Sequence, residues 1–428
     1  MMSSFGLYLH IPFCLHKCAY CDFNSFALTE IPEKRYIDAL RGELDGYLSR
    51  PEWQGRTITS IYFGGGTPSL LSPAAFTRLL DHIFRSAPVD ELAEITLEAN
   101  PGTIAFDRLL GYREAGINRI SFGAQSFSRK VLSFLGRIHA PHHIEEAVAY
   151  ARAAGFQNIS LDLIYGVPHQ SLFDLKNDLR EVIRLAPAHV SAYSLTLEKN
   201  TRLWKAFRQG RFELPRESEV VRQIQEISAQ LAGAGLVRYE ISNFARRGRE
   251  ARHNLAYWEG ADYLGLGAGA HSYLGASEPE TKCFGWRWAN TPVLAEYMDR
   301  ALGRGEAVAE RETISAREAA IEFFMLGLRR LSGVNLKEFE RRFGLPVDQA
   351  YPGVVALLLR GGFVRREGCY LALSSKGLLV ADSVMESFAA PRIKGLRRRA
   401  PVAPPIPLAT GSQLELSGIS AAGGTWKP

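Results

Sequence analysis

Two hydrophobic periods alternate along the first half of the chain. Strand-like apolar runs occur at Leu7–Ile11, Ile58–Phe63, Glu94–Glu98, Arg119–Gly123, Asn158–Ile164 and His189–Leu197. Between them the spacing turns helical. Pro32–Leu48 carries Ile37, Leu40, Leu44 and Leu48 on one face, and Leu79, Leu80 and Ile83 mark a second helix. Ser72 as cap and Pro73 at the first helical position give that helix its start. Phe106–Glu114 is closed by Gly116, and further helices are expected at Lys130–Leu135, His142–Ala154 and Leu172–Leu185. This alternation predicts an α/β chain whose parallel sheet curls into a partial (β/α)6 barrel of TIM type. Function then gathers on the loops that follow the strands.

The pattern loosens after Thr201. A helix is expected at Glu217–Ala232 and a strand at Arg238–Phe244, followed by an aromatic, glycine-rich stretch from His253 to Tyr273. From Ser315 the character changes again. Helices at Ala316–Leu328, Leu336–Phe343 and Tyr351–Gly361 lead to a hairpin at Phe363–Leu373, a mostly helical, winged-helix-like module. Its recognition-helix candidate, YPGVVALLLR, is almost wholly apolar and reads as packing rather than as a DNA reader. The expected division is a barrel over 1–235, a connecting segment over 236–310, the C-terminal domain over 311–390 and a disordered Pro-rich basic tail over 391–428.

Composition narrows the setting. At 428 residues, 46% hydrophobic and 22% charged, the chain is ordinary for a globular protein of more than one domain. No apolar run approaches the roughly 20 residues of a membrane span, and no signal peptide is apparent. Five cysteines, three of them in one motif, argue against a disulfide framework and for a reducing, cytoplasmic setting. Most of the formal +6 lies in the tail, where Arg392, Lys394, Arg397, Arg398, Arg399 and Lys427 face only Glu415. The body is nearly neutral, so charge gives no argument for a nucleic-acid partner. The Arg392–Arg399 cluster reads as a solvated tail, with contact to anionic lipid as the alternative. A homodimer stays open.

The chemistry concentrates in HIPFCLHKCAYCDF, His10 to Phe23. Cys14, Cys18 and Cys21 follow the first strand with the spacing Cys-x3-Cys-x2-Cys. A structural zinc site closes with four ligands. A four-iron cluster held by three thiolates keeps one iron open for chemistry. The competing assignment is a zinc site completed by His10 or His16.

That motif, followed by YFGGGTPSLL, resembles the radical S-adenosylmethionine (SAM) superfamily. Gly64–Pro68, Ser121–Phe127 (SFGAQSF) and Asp162–Pro168 (DLIYGVP) are similar to the oxygen-independent coproporphyrinogen III oxidases and their relatives. His253-Asn254-Leu255-Ala256-Tyr257-Trp258, an HNxxYW pattern, is similar to the haem-chaperone branch of that family. The resemblance covers about Leu7 to Ala390. It implies a [4Fe–4S] cluster on Cys14, Cys18 and Cys21, with SAM on the open iron. It further implies SAM contacts from Tyr8, Tyr20, Gly65, Gly66, Thr67, Glu98, Gln125, Arg137 and Asp162. Backbone N–H groups of Gly65, Gly66 and Thr67 would suit the methionine end. Asp162, in an otherwise apolar strand, should have a partner.

The oxidases carry a further Cys two residues after the third cluster ligand, where this chain has Phe23, and the chain begins almost at its first strand. Both point from porphyrinogen oxidation towards haem handling, with haem ligated by His253 and packed on Tyr257 and Trp258. The implied partners are haem, respiratory haem acceptors and an electron donor. The implied function is haem delivery; oxidative decarboxylation of coproporphyrinogen III is the alternative. Blander roles stay open for single residues. GGGTP suits any tight turn, Glu98 and Arg137 suit a surface, His253 suits a hydrogen-bonded core position, and His271 suits a turn. Cys283 and Cys369 read as inert.

Overall fold

The computed structural model describes residues 4–276 and 283–392. Six strands in chain order form the body of the sheet: β1 (Ser4–Ile11), β2 (Thr57–Gly65), β3 (Val89–Ala99), β4 (Arg119–Gln125), β5 (Asn158–Tyr165) and β6 (His189–Ser194). Each pairs in parallel with the next, as the strand–helix alternation requires.

Period-two alternation splits these strands into two faces. Leu7, Leu9, Ile61, Phe63, Leu97, Ile120, Phe122, Leu161, Leu163 and Val190 are buried in one core with Leu40, Leu44, Leu79, Leu80, Ile144, Val148, Leu175 and Leu179 of the covering helices. Each such side chain contributes roughly 1.5–3 kcal/mol on burial, which holds the helices against this face of the sheet. The other face is free for polar residues. Helix boundaries follow local chemistry. Ser72 accepts from Ala75 N at 3.2 Å at the start of Pro73–Ser86, and Glu33 in turn accepts from Ser72 N and Oγ at 2.6 and 2.7 Å.

The segment 236–310 builds both edges of this sheet. Beyond β6 lie β7 (Val237–Arg238) and β8 (Asn243–Ala245), an antiparallel pair where one strand over Arg238–Phe244 was expected. The strand breaks because residues 239–242 turn away to the C-terminal domain. Tyr239 O accepts from Leu331 N, and Ile241 N donates to Arg329 O. On the opposite edge β9 (Tyr263–Leu266) runs parallel to β1, a seventh parallel strand. Antiparallel β10 (His271–Gly275), β11 (Cys283–Asn290) and β12 (Val308–Ser315) follow. The order is β12-β11-β10-β9-β1-β2-β3-β4-β5-β6-β8-β7.

The C-terminal domain has helices Ala316–Gly327, Leu336–Phe343, Val347–Ala350 and Val354–Arg360 with a small sheet of Val334–Asn335, Tyr370–Leu373 and Val364–Glu367. Its core is aromatic: Phe324 stacks on Phe388 at 4.0 Å and meets Phe339 and Tyr351. The helix expected from Tyr351 starts only at Val354, because Tyr351 turns into this core. Leu357 is 63% exposed, so this helix is not wholly packed as its composition suggested. Tyr263 and Tyr273 of the sheet share the same core. Among the described residues no helix is long and apolar enough to cross a membrane. The tail expected to be disordered lies outside the described residues from 393 onward.

Candidate metal and cofactor site

The cysteine loop leaves the end of β1 and is tied down on three sides. Its start is a two-residue parallel bridge, Phe13–Cys14 with Phe26–Ala27. Asn24 Nδ2 donates to the carbonyls of Ala268 and Pro292, and Asn24 O accepts from His10 Nε2 at 2.8 Å. Since Nε2 must then carry the proton, His10 Nδ1 accepts from Tyr8 Oη at 3.0 Å. Ala19 closes the third side, donating to Leu135 O and accepting from Leu203 N.

Each thiol has a donor. Thr67 Oγ1 lies 3.7 Å from Cys14 Sγ, Arg137 Nη1 lies 3.6 Å from Cys18 Sγ, and the Phe23 backbone serves Cys21. Burial pushes the Cys14 and Cys21 thiols up, so a cationic centre is needed to hold them as thiolates. A zinc ion held by these three thiols would need a fourth ligand to close its site. Both nitrogens of His10 are engaged, which removes it as a fourth zinc ligand, and His16 is exposed beside Arg202 at 3.2 Å. A multi-iron cluster fits this donor set better than one ion.

The glycine loop after β2 packs on the cysteine loop. A Cβ on Gly65, whose φ is +113°, would stand 2.5 Å from His10, and one on Gly66 2.6 Å from Phe13 O. The N–H groups expected to face the methionine end are engaged otherwise. Gly65 N donates to Glu98 Oε2 at 3.2 Å, Gly66 N to Ile11 O at 2.9 Å and Thr67 N to Phe13 O at 2.7 Å. The loop's glycines allow close approach, and its donors hold the cysteine strand in place.

The remaining expected SAM contacts converge on the polar face of the sheet. Tyr8 pairs across with Tyr62, and Glu98 with Ser121. Glu98 accepts from Tyr62 Oη at 2.7 Å; burial pushes its carboxyl up to about 7, with Asp162 adding to the rise and Tyr62, Gly65 N and Arg119 opposing it. Asp162 has the partners its setting demanded: Ser121 Oγ at 3.0 Å, Ser160 Oγ at 3.4 Å and the Ser191 hydroxyl, with burial raising its pKa. Gln125 ends β4 with a φ of +63° beside a register shift, a strained position for a side chain. Arg137 bridges Gly123 O at 2.7 Å, the Cys18 sulfur and Tyr20, while its buried Nε has no partner. That orphaned donor suits an anionic ligand such as the carboxylate of SAM.

His253 is placed differently from an open ligand. It lies on the short helix Arg252–Trp258 and is 2% exposed. Its Nδ1 is 2.8 Å from Ser60 Oγ and its Nε2 2.9 Å from Tyr257 Oη. Burial lowers its pKa to about 3. Glu94 anchors the helix start, accepting from the backbone N–H of Arg252 and His253 at 3.2 and 3.3 Å. Trp258 is buried under Arg329 at 4.3 Å. His271 is exposed on β10.

Ser60, Tyr62, Arg119, Ser121 and His189 were missed from sequence. Their signal was the alternation itself. Ser60-Ile61-Tyr62-Phe63, Glu94-Ile95-Thr96-Leu97-Glu98, Arg119-Ile120-Ser121-Phe122 and His189-Val190-Ser191-Ala192 each repeat a polar position beside an apolar one.

Comparison with known proteins bears on the family and the fold. Residues 8–182 match the Radical SAM superfamily model, and 314–380 match the HemN C-terminal domain model. The haem chaperone HemW of Escherichia coli (strain K12) is 37% identical over 386 residues, covering 90% of this chain and 98% of the relative. That of Bacillus subtilis (strain 168) is 34% identical over 382 residues, covering 89% and 98%. The solved structure of coproporphyrinogen III oxidase (HemN) from E. coli, a radical SAM enzyme, superposes with a TM-score of 0.76 at 24% identity, covering 91% of this chain and 90% of that one, and shares the fold. By identity over nearly the whole length of these relatives, the chain belongs to the radical SAM superfamily and, within it, to the haem chaperone HemW family.

Proposed function

We propose that this protein is a haem chaperone. It carries a [4Fe–4S] cluster on Cys14, Cys18 and Cys21, binds SAM beside it, and binds haem for delivery to haemoproteins of a respiratory chain. The observation that carries the proposal is 34–37% identity to relatives named haem chaperones across 98% of their length. When bound, a cluster of this kind supplies a single electron to SAM. The chain's own residues bind and orient. Thr67, Arg137 and the Phe23 backbone stabilise the thiolates. Tyr8, Tyr20, Gly65, Gly66, Thr67, Glu98, Gln125, Arg137 and Asp162 form the SAM side. Haem ligation by His253 Nε2 requires Tyr257 to release its hydrogen bond. An electron donor and haem acceptors are the partners required. Three of the five cysteines lie in one ligand motif, which supports a reducing, cytoplasmic location.

A second proposal, oxidative decarboxylation of coproporphyrinogen III, draws on the fold shared with the E. coli oxidase. Phe23, where the oxidases have Cys, opposes it. Anaerobically reconstituted protein incubated with SAM, reductant and coproporphyrinogen III should give no protoporphyrinogen; its appearance would overturn the chaperone-only proposal. In parallel, Cys18→Ser should lose the brown cluster absorbance, and zinc in place of iron in anaerobically purified protein would remove the cluster from the scheme.

A further inference from the structure

Tyr62 belongs to neither the expected SAM contacts nor the HNxxYW segment, yet it touches both. Its hydroxyl donates to Glu98 Oε1 at 2.7 Å. Its ring stacks on His253 with centroids 5.0 Å apart and planes 23° apart, and on Tyr8 at 6.1 Å and 25°. There is little slack. A Cβ on Gly64 would stand 2.9 Å from the Tyr62 ring and 3.1 Å from Tyr8. On the far side His253 is fixed by Ser60 and Tyr257, and Tyr257 meets Tyr263 edge-on at 4.5 Å, in the core shared with the C-terminal domain.

We propose that Tyr62 is a positioning residue for Glu98 and that His253 sets its place, so that the SAM side of the sheet and the HNxxYW helix are mechanically linked. The inference rests on the proposed role of Glu98 as a SAM contact. Glu98 presents one oxygen to Tyr62 and the other to Gly65 N, which fixes the plane of the carboxylate. Without the Tyr62 hydroxyl only the Gly65 N–H would hold the plane of the carboxylate. Anything that draws His253 out of the stack removes the wall behind Tyr62 and loosens the same carboxylate. Haem engaging His253 would therefore alter SAM affinity, and SAM would alter haem affinity by the same factor.

The charged and titratable groups facing Glu98 are Tyr62 on β2, Tyr8 on β1, Arg119 on β4, Asp162 on β5 and Tyr193 on β6. Burial raises the Glu98 carboxyl to about 7 and the Tyr62 hydrogen bond opposes that rise. Removing the hydroxyl should therefore move the titration upward. SAM binding that needs the carboxylate should then appear only at higher pH.

The test is equilibrium dialysis of labelled SAM against the full-length, cluster-reconstituted chain between pH 6 and 9. Tyr62→Phe keeps the ring and should weaken SAM binding roughly tenfold at pH 7.5, the worth of a hydrogen bond to a charged group. The midpoint of its pH profile should rise. His253→Ala should weaken binding severalfold at the same cluster content. Wild-type affinity in Tyr62→Phe, or a loss with an unmoved midpoint, overturns the positioning role; wild-type affinity in His253→Ala overturns the link. Glu98→Gln separates the failures. If it too binds SAM like the wild type, the SAM role of Glu98 falls and the inference with it; if it binds poorly while Tyr62→Phe and His253→Ala do not, only the inference falls.

Discussion

Behind the cysteine loop, away from any thiol, Glu43 is fully buried. It accepts from Gly267 N at 3.0 Å, Asn290 Nδ2 at 2.6 Å and Tyr297 Oη at 2.7 Å. These donors hold residues 267 and 268, and the Ala268 carbonyl in turn receives the Asn24 amide of the cysteine loop. Burial pushes the Glu43 carboxyl from 4.5 up to about 7, although its hydrogen bonds pull downward. Between those values the folded state holds a proton that the unfolded chain has released. Stability from this group is therefore full below pH 4.5 and is lost as pH rises towards 7. Glu43→Gln removes the titration, so its urea midpoint should fall less between pH 5 and pH 8 than the wild type's. An equally steep fall would contradict this. At this scale the sequence was legible where chemistry is local. Three cysteines within eight residues speak for themselves, whereas Glu43 meets a donor 224 residues away and looks like any helix-surface acid until the chain folds.

Among the elements of the site, the Arg252–Trp258 helix depends on its neighbours. At seven residues it is too short to be stable alone. Glu94 caps its first turn and lies 3.9 Å from the buried Arg119 guanidinium. Glu94→Ala would free two helix N–H groups and remove the nearest buried carboxylate from Arg119. The expected cost is about 3 kcal/mol, read as a lowered denaturation midpoint. A change below about 0.5 kcal/mol would show that the helix is held elsewhere. The long helices were readable to within a residue or two from their apolar stripes, caps and stop glycines, as at Phe106–Glu114 and Leu172–Leu185. The edge strands were not. Tyr263–Leu266 has only four residues and no alternation, since both its faces are covered. Residues 239–242 break their strand to meet Leu331 and Arg329, contacts that no local pattern announces.

Across the whole molecule, the polar face of one sheet carries two adjoining centres. The cysteine loop and Glu98 lie at the ends of the strands, and His253 lies deeper, against β1 and β2. The second centre is tied to the C-terminal domain. Arg329 covers Trp258 and reaches the buried Glu240 at 3.5 Å, and Tyr263 and Tyr273 share the domain's aromatic core. Changes in period are the basis for proposing a division into barrel, connector and C-terminal domain. They do not announce that the connector's strands form both edges of the sheet, because those pairings join segments far apart in sequence. A chaperone must release what it binds, and the proposed haem ligand sits beside the core shared with the C-terminal domain. Haem delivery is therefore the direct test. The haem-loaded, cluster-reconstituted protein is mixed anaerobically with haem-depleted membranes carrying respiratory haemoproteins, and the Soret bands of both fractions are followed. Haem should leave the chain and the acceptor spectrum should appear, with His253→Ala failing at the loading step. Haem that stays on the chain, or transfers no faster than free haem, would contradict a chaperone role.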